Sequence, residues 1–177
     1  MQKLMTSSLS RNQTAFTLVE LLITVSVLVL VLTMGAVNYL RFLNKQNLYK
    51  AGSAIEVMIK DARSKAQNGF LGDEEIGFCS KLAAIEVFSI INAENKISLN
   101  TQVRCENNDL LTYENYLIDQ NNIVLSQNFR VSFLPLRGSN VYLGGSSVAS
   151  GSATLSSGED EVILNFDQGG NIDVRYQ

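Results

Sequence analysis

Residues 11–37 read RNQTAFTLVELLITVSVLVLVLTMGAV, and no charged side chain occurs between Glu20 and Arg41. About 20 apolar residues suffice to carry a helix across a bilayer. Residues 21–37 meet that requirement, interrupted only by Thr24, Ser26, Thr33 and Gly35. The many Val and Ile residues would weaken a helix in water. In lipid the backbone must satisfy its own hydrogen bonds, so a membrane-inserted helix is the expected form. A secretory signal would end its apolar core at a small-residue cleavage site. Here the run is too long for that, and the small residue, Ala15, precedes it. Lys3 and Arg11 lie on one flank, with Arg41, Lys45 and Lys50 on the other, so the positive-inside rule assigns no orientation.

Outward from this run, residues 38–68 contain no Pro and only Gly52 as a strong helix weakener. Leu40, Leu43, Leu48, Ala51, Ile55, Met58, Ile59, Ala62 and Ala66 recur at mostly three- and four-residue steps. That spacing forms one apolar stripe on an amphipathic helix, best read as ordinary core packing. Lys45, Lys50, Glu56, Lys60, Asp61 and Lys65 occupy the other face, and Asn68-Gly69 is a suitable stop. A helix from 16 to 68 would be about 80 Å long at 1.5 Å per residue.

Beyond residue 70 the patterning is that of strands: 83–91 (AAIEVFSII), 97–104, 110–118, 123–125, 129–134, 162–166 and 172–176. The clearest alternation sets Phe129, Val131 and Phe133 against Arg130 and Ser132. Residues 138–158, GSNVYLGGSSVASGSATLSSG, hold five Gly and seven Ser and are expected to be a mobile loop or slack. The fold class expected is α+β: a long N-terminal helix packed on an antiparallel β-sandwich or a sheet wrapped over it.

Charge follows the same division. Residues 1–70 carry eight basic and three acidic side chains, whereas residues 71–177 carry six basic and fourteen acidic ones. With no His there is no Ser-His or Cys-His pair and no His-ligated zinc, and two Cys cannot form a four-Cys site. No motif organises the Ser and Asp residues for catalysis, and no catalytic residue or cofactor is expected. Asp73-Glu74-Glu75 and Glu159-Asp160-Glu161 lack Ca²⁺-loop spacing and read as solvated loops rather than a metal site.

The junction RNQTA-FTLVELLITVSV closely resembles the class III leader and helix start of type IV pilins and type II secretion pseudopilins, with Ala15 where Gly is commoner. The resemblance implies three regions: a cytoplasmic leader, 1–15; a helix, 16–69, with 16–40 in membrane or filament and 41–69 amphipathic; and an extracytoplasmic β-rich head, 70–177. It implies cleavage by a prepilin peptidase between Ala15 and Phe16, with N-methylation of Phe16. It also implies assembly through Thr17, Leu18 and Glu20, the acid pairing with the Phe amine of a neighbouring subunit. An isolated acid costs roughly 2.5–3.5 kcal/mol at the bilayer centre, which gives Glu20 reason to seek such a partner. The partners implied are other pilin or pseudopilin subunits, an inner-membrane assembly platform, and lipid before assembly. The segments IEVMIKDARSKAQNG and VILNFDQGGNIDV resemble the helix end and closing hairpin of H-type minor pseudopilins and related minor pilins. A head outside the cytoplasm would permit a Cys79–Cys105 disulfide, favoured here over two buried thiols. The function expected is a structural subunit of a type IV-like filament. Two alternatives are a DNA-uptake minor pilin, disfavoured by the acidic head, and a helix-anchored ligand-binding or enzymatic domain.

Overall fold

The structure, a computed structural model, describes residues 17–73, 77–92, 96–119, 122–135 and 138–177. Among the described residues there is one helix, α1, which runs Leu18–Gln67. The described strands that follow are β1 (Gly72–Asp73), β2 (Gly77–Phe78), β3 (Leu82–Ile91), β4 (Ile97–Cys105), β5 (Leu110–Ile118), β6 (Val124–Leu125), β7 (Phe129–Leu134), β8 (Gly138–Leu143), β9 (Ser146–Val148), β10 (Gly151–Ser157), β11 (Asp160–Phe166) and β12 (Ile172–Tyr176). The fold is therefore α+β with antiparallel sheets. The chain divides into two compact units at Arg41/Phe42.

The first unit contains the described apolar half of α1, from Leu18 to Leu32 exposed at every large hydrophobic position. The Thr17 hydroxyl accepts the Glu20 amide at 3.3 Å and caps the helix. Thr24, Ser26 and Thr33 each donate to a backbone carbonyl three or four residues back, at 2.9, 2.7 and 2.9 Å. Each of these hydroxyls has its donor satisfied within the helix, the condition for placing one against lipid or another apolar helix.

In the second unit the same helix turns amphipathic. Leu48, Ala51, Ile55, Met58, Ile59, Ala62 and Ala66 are buried, while Leu40 of the expected stripe is exposed and belongs to the first unit. The helix ends in a Schellman arrangement. The Phe70 amide donates to Lys65 O at 2.9 Å and the Gly69 amide to Ala66 O at 3.3 Å, with Gly69 at φ 68°.

Two sheets share the core. One has six strands in the order β5-β4-β3-β7-β8-β9, the other four in the order β12-β11-β10-β6. Alternation directs Ile97, Leu99, Val103, Phe129, Val131 and Phe133 inward from the first and Ala153, Leu155, Val162, Leu164 and Phe166 inward from the second. Phe129 and Phe166 meet across the sheets with ring centroids 5.3 Å apart.

Residues 138–158 are a correction to the sequence reading. They form β8, β9 and β10 rather than a loop. Val141, Leu143, Ala153 and Leu155 point into the core, Gly144 and Gly145 make the β8–β9 turn, and Gly158 opens the β10–β11 turn. Ser fills many of the remaining positions; a strand needs only its inward residues to be apolar, so a Ser-rich composition does not prevent one.

At Gly52 the helix backbone approaches β11 closely. A Cβ there would lie 2.7 Å from Val162 Cγ1 and 3.7 Å from the Tyr176 ring. Alanine would gain about 1 kcal/mol in helix propensity but would overpack a filled contact, which typically costs about 1–3 kcal/mol. Gly52→Ala is expected to lower stability by about 1 kcal/mol net, read as a reduced denaturation midpoint; an unchanged or raised midpoint would mean the interface yields.

Candidate assembly segment and head surface

The expected processing residues Ala15 and Phe16 lie outside the described residues. Thr17 caps α1, Leu18 and Glu20 lie in its first turn, and all three are exposed. Thr17 and Glu20 stand in the T-x-x-E spacing of a capping box, of which the Thr17 half is formed. The same two residues thus have a local role in starting the helix, a signal present in the sequence as a cap followed three residues later by an acid.

Residues 10–36 match the family model of the prokaryotic N-terminal methylation motif. The match supports a type IV pilin-like protein. No curated protein and no solved structure matches the chain. The match takes in residues 10–36, including most of the apolar run of α1, and the class III leader that such a motif describes implies prepilin-peptidase processing and assembly into filaments. The apolar helix with such a leader suggests membrane anchoring, and proteins of this kind are generally structural rather than catalytic.

Cys79 and Cys105 are bonded to each other, with Cα atoms 5.4 Å apart and a sequence separation of 26. Around the bond, the Cys79 amide donates to Leu71 O and the Glu106 amide to Lys81 O at 3.0 Å. The bridge ties the connection after α1 to the end of β4. Closing a loop of this length is worth about 3–4 kcal/mol on the chain-entropy account.

The amphipathic half of α1 meets the sheets through polar contacts that sequence periodicity does not reveal. The β4–β5 register shifts between Thr101 and Gln102, leaving Tyr113 without an opposite residue. Its hydroxyl donates to Asp61 Oδ2 at 3.1 Å, and Lys65 pairs with Asp61 at 2.9 Å while lying 4.0 Å from the Tyr113 ring centroid. Burial pushes the Tyr113 phenol above its ordinary pKa, and the Asp61 charge adds to that. Nearer the start of this half, Lys45 pairs with Asp160 at 2.7 Å. Near the helix end, Arg63 donates to the Asn171 side-chain oxygen. Asn171 in turn gives its side-chain and backbone N–H groups to the two Asp167 oxygens, at 2.7 and 2.8 Å.

The six-stranded sheet carries a buried acid on its outward face. Glu86 is 2% exposed. It pairs with Arg104 and accepts from Gln102 Nε2 and Ser132 Oγ, both at 3.2 Å. Gln102 and Arg104 on β4 and Ser132 on β7 cover the carboxylate, and its alternation with inward Ile85 and Val87 gives no sign of that burial.

Among the described residues no group of acids and cysteines is arranged to hold a metal. Asp160 faces Lys45, and Glu161 joins Gln177 through the backbone. Arg130 and Arg175 lie on β7 and β12, in different sheets, and Arg137 lies outside the described residues.

Two outcomes follow. Replacing Cys79 and Cys105 together by Ser should lower stability by about 3–4 kcal/mol in denaturant titrations, and a loss below about 1 kcal/mol would show that the bond constrains little. The bonds from Asn171, side chain first and backbone second, hold the Asp167 carboxyl below the usual carboxylate range. A depressed folded pKa contributes stability above the unfolded value, lost as pH falls through the folded one. The denaturation midpoint of Asp167→Asn should therefore fall short of the parent at pH 7. The difference should shrink below about pH 4 and vanish under the lowered folded value.

Proposed function

We propose that the chain is a minor pilin or pseudopilin, a structural subunit that helps initiate or cap a type IV-like filament in a type II secretion-like system. The observation that carries this reading is the methylation-motif match over residues 10–36, lying on an apolar helix whose large side chains are exposed from Leu18 to Leu32. Such a surface needs lipid or other apolar helices around it, and both are offered in turn by a subunit that waits in the membrane and then enters a filament.

In this reading prepilin peptidase cuts between Ala15 and Phe16, Phe16 is N-methylated, and residues 16–40 anchor the chain singly in the inner membrane before assembly. The head, residues 70–177 with residues 41–69 of the helix packed against it, lies outside the cytoplasm, where the Cys79–Cys105 bond is stable. Glu20, in the first turn and flanked by apolar residues, meets the cationic Phe16 amine of the neighbouring subunit. A DNA-binding role has weaker support, because eleven basic residues against sixteen acidic ones from residue 42 onward oppose a polyanion.

The mature protein should begin at Phe16 and carry one added methyl group, read by intact mass. Glu20→Gln should leave membrane insertion intact and reduce incorporation into filaments by at least tenfold, measured by shearing and immunoblotting. Normal incorporation of Glu20→Gln, or a mature chain that retains residues 1–15, would remove the filament reading.

A further inference from the structure

The six-stranded sheet is split at one end. β3 and β7 pair from Ile85 opposite Phe133 to Phe88 opposite Arg130, and there the ladder stops. Beyond that point β3 continues beside β4, with Ile90 opposite Ser98 and Ile91 opposite Ile97. β7 stays with β8 instead: Phe129 lies opposite Leu143, and the Gly144 amide donates to Asn128 O at 2.9 Å. The next pair of the ladder would have been Ser89 and Phe129. In its place the buried Ser89 hydroxyl accepts the Phe129 amide at 2.8 Å and donates to the Phe129 carbonyl at 3.4 Å. A side chain thus occupies the position a strand backbone would take, and the two halves of the sheet part.

The chain ahead of Phe129 belongs to β6 in the other sheet, so no strand of this sheet fills the gap. What remains is a cleft of about 840 Å³. One lip is β3 from Phe88 to Ile91, and the other is Gln127, Asn128 and Arg130, with Tyr142 of β8 beyond Arg130. Ile90 on the first lip is 43% exposed. On the side facing the cleft, the backbone of Ile90 and Ile91 has no ladder partner among the described residues. Among the described residues, Arg130 is the one charged side chain lining the cleft. Its guanidinium lies 5.4 Å from the Phe88 ring centroid and meets no carboxylate among the described ion pairs.

We propose that this cleft is a docking site for an extended acidic segment of a partner polypeptide. The segment adds as a strand to the free edge of β3 at Ile90–Ile91 and places a carboxylate on Arg130. Three features select that occupant. Unpaired peptide groups on a strand edge are satisfied in register by another peptide, the basis of strand addition. A lone guanidinium braced on an aromatic ring takes a carboxylate in a bidentate pair. A nucleic acid strand would need several cations along its path, and the cleft offers one. The proposal stands apart from the filament reading, since it concerns the head surface and not α1, and either can fail alone.

The test uses the full chain in detergent micelles and a fluorescent, end-blocked hexapeptide of alternating valine and glutamate. Its controls are the valine–lysine counterpart, the valine–glutamate peptide with methylated backbone nitrogens, and a twelve-residue oligothymidylate. Anisotropy should show the acidic peptide binding at least tenfold more tightly than the lysine peptide. Backbone methylation should abolish binding, and Arg130→Glu should reverse the charge preference. Ile90→Glu, at an exposed position, should weaken the acidic peptide at least tenfold by repulsion, giving a second variant should Arg130→Glu unfold. The proposal is overturned if the acidic peptide does not bind at millimolar concentration. Binding that is indifferent to both variants, survival of binding after backbone methylation, or tighter binding of oligothymidylate would overturn it equally.

Discussion

The approach of α1 to β11 at Gly52 sets the geometry of the head. With no side chain there, Val162 comes within reach of the helix backbone. Ala51, Ala62 and Ala66 keep the rest of the buried face narrow, while Leu48, Ile55, Met58 and Ile59 fill the space on either side. The four-stranded sheet can then hold the helix through Val162, the edge-to-face contact of Tyr49 with Tyr176, and the Arg63–Asn171 bond. The six-stranded sheet holds the same helix from its own edge through Tyr113 and Asp61. Both sheets are thereby referred to one rod, and their inward residues can form a single core.

The same helix obeys different solvents along its length. Its first described half exposes every large apolar side chain, and its hydroxyls donate to its own carbonyls. Its second half buries an apolar stripe and sets charged side chains in i,i+4 pairs, Glu56 with Lys60 and Asp61 with Lys65. A segment of the first kind is stable only where water is excluded, by lipid or by like helices. A segment of the second kind is stable only against a folded partner. The charge distribution follows that contrast: sixteen of the seventeen acids lie from residue 42 onward, in the unit that folds around a core.

Two departures from simple patterning shape the head's surface. Ser89 interrupts a ladder that its neighbours would otherwise continue, and its hydroxyl does so without leaving the Phe129 peptide groups unsatisfied. Glu86 keeps a carboxylate out of water on the outward face of the same sheet, supported by Arg104, Gln102 and Ser132 from the strands on both sides. Both residues act across strands distant in sequence, so their effect depends on register.

Several features needed no tertiary information. The apolar run and the acid of the first turn lie within residues 20–37, and membrane insertion reads consecutive residues directly. The helix stop at Asn68-Gly69 and the alternation of Phe129, Val131 and Phe133 are equally local, because turn chemistry and strand period are properties of neighbouring residues. The Ser- and Gly-rich stretch 138–158 misled because composition averages over the alternation that puts Val141, Leu143, Ala153 and Leu155 inward. The close contact at Gly52, the Tyr113–Asp61 bond, the burial of Glu86 and the split at Ser89 were decided only by the tertiary structure. Each is a relation between residues brought together by sheet register and helix placement, and no window along the chain contains both partners.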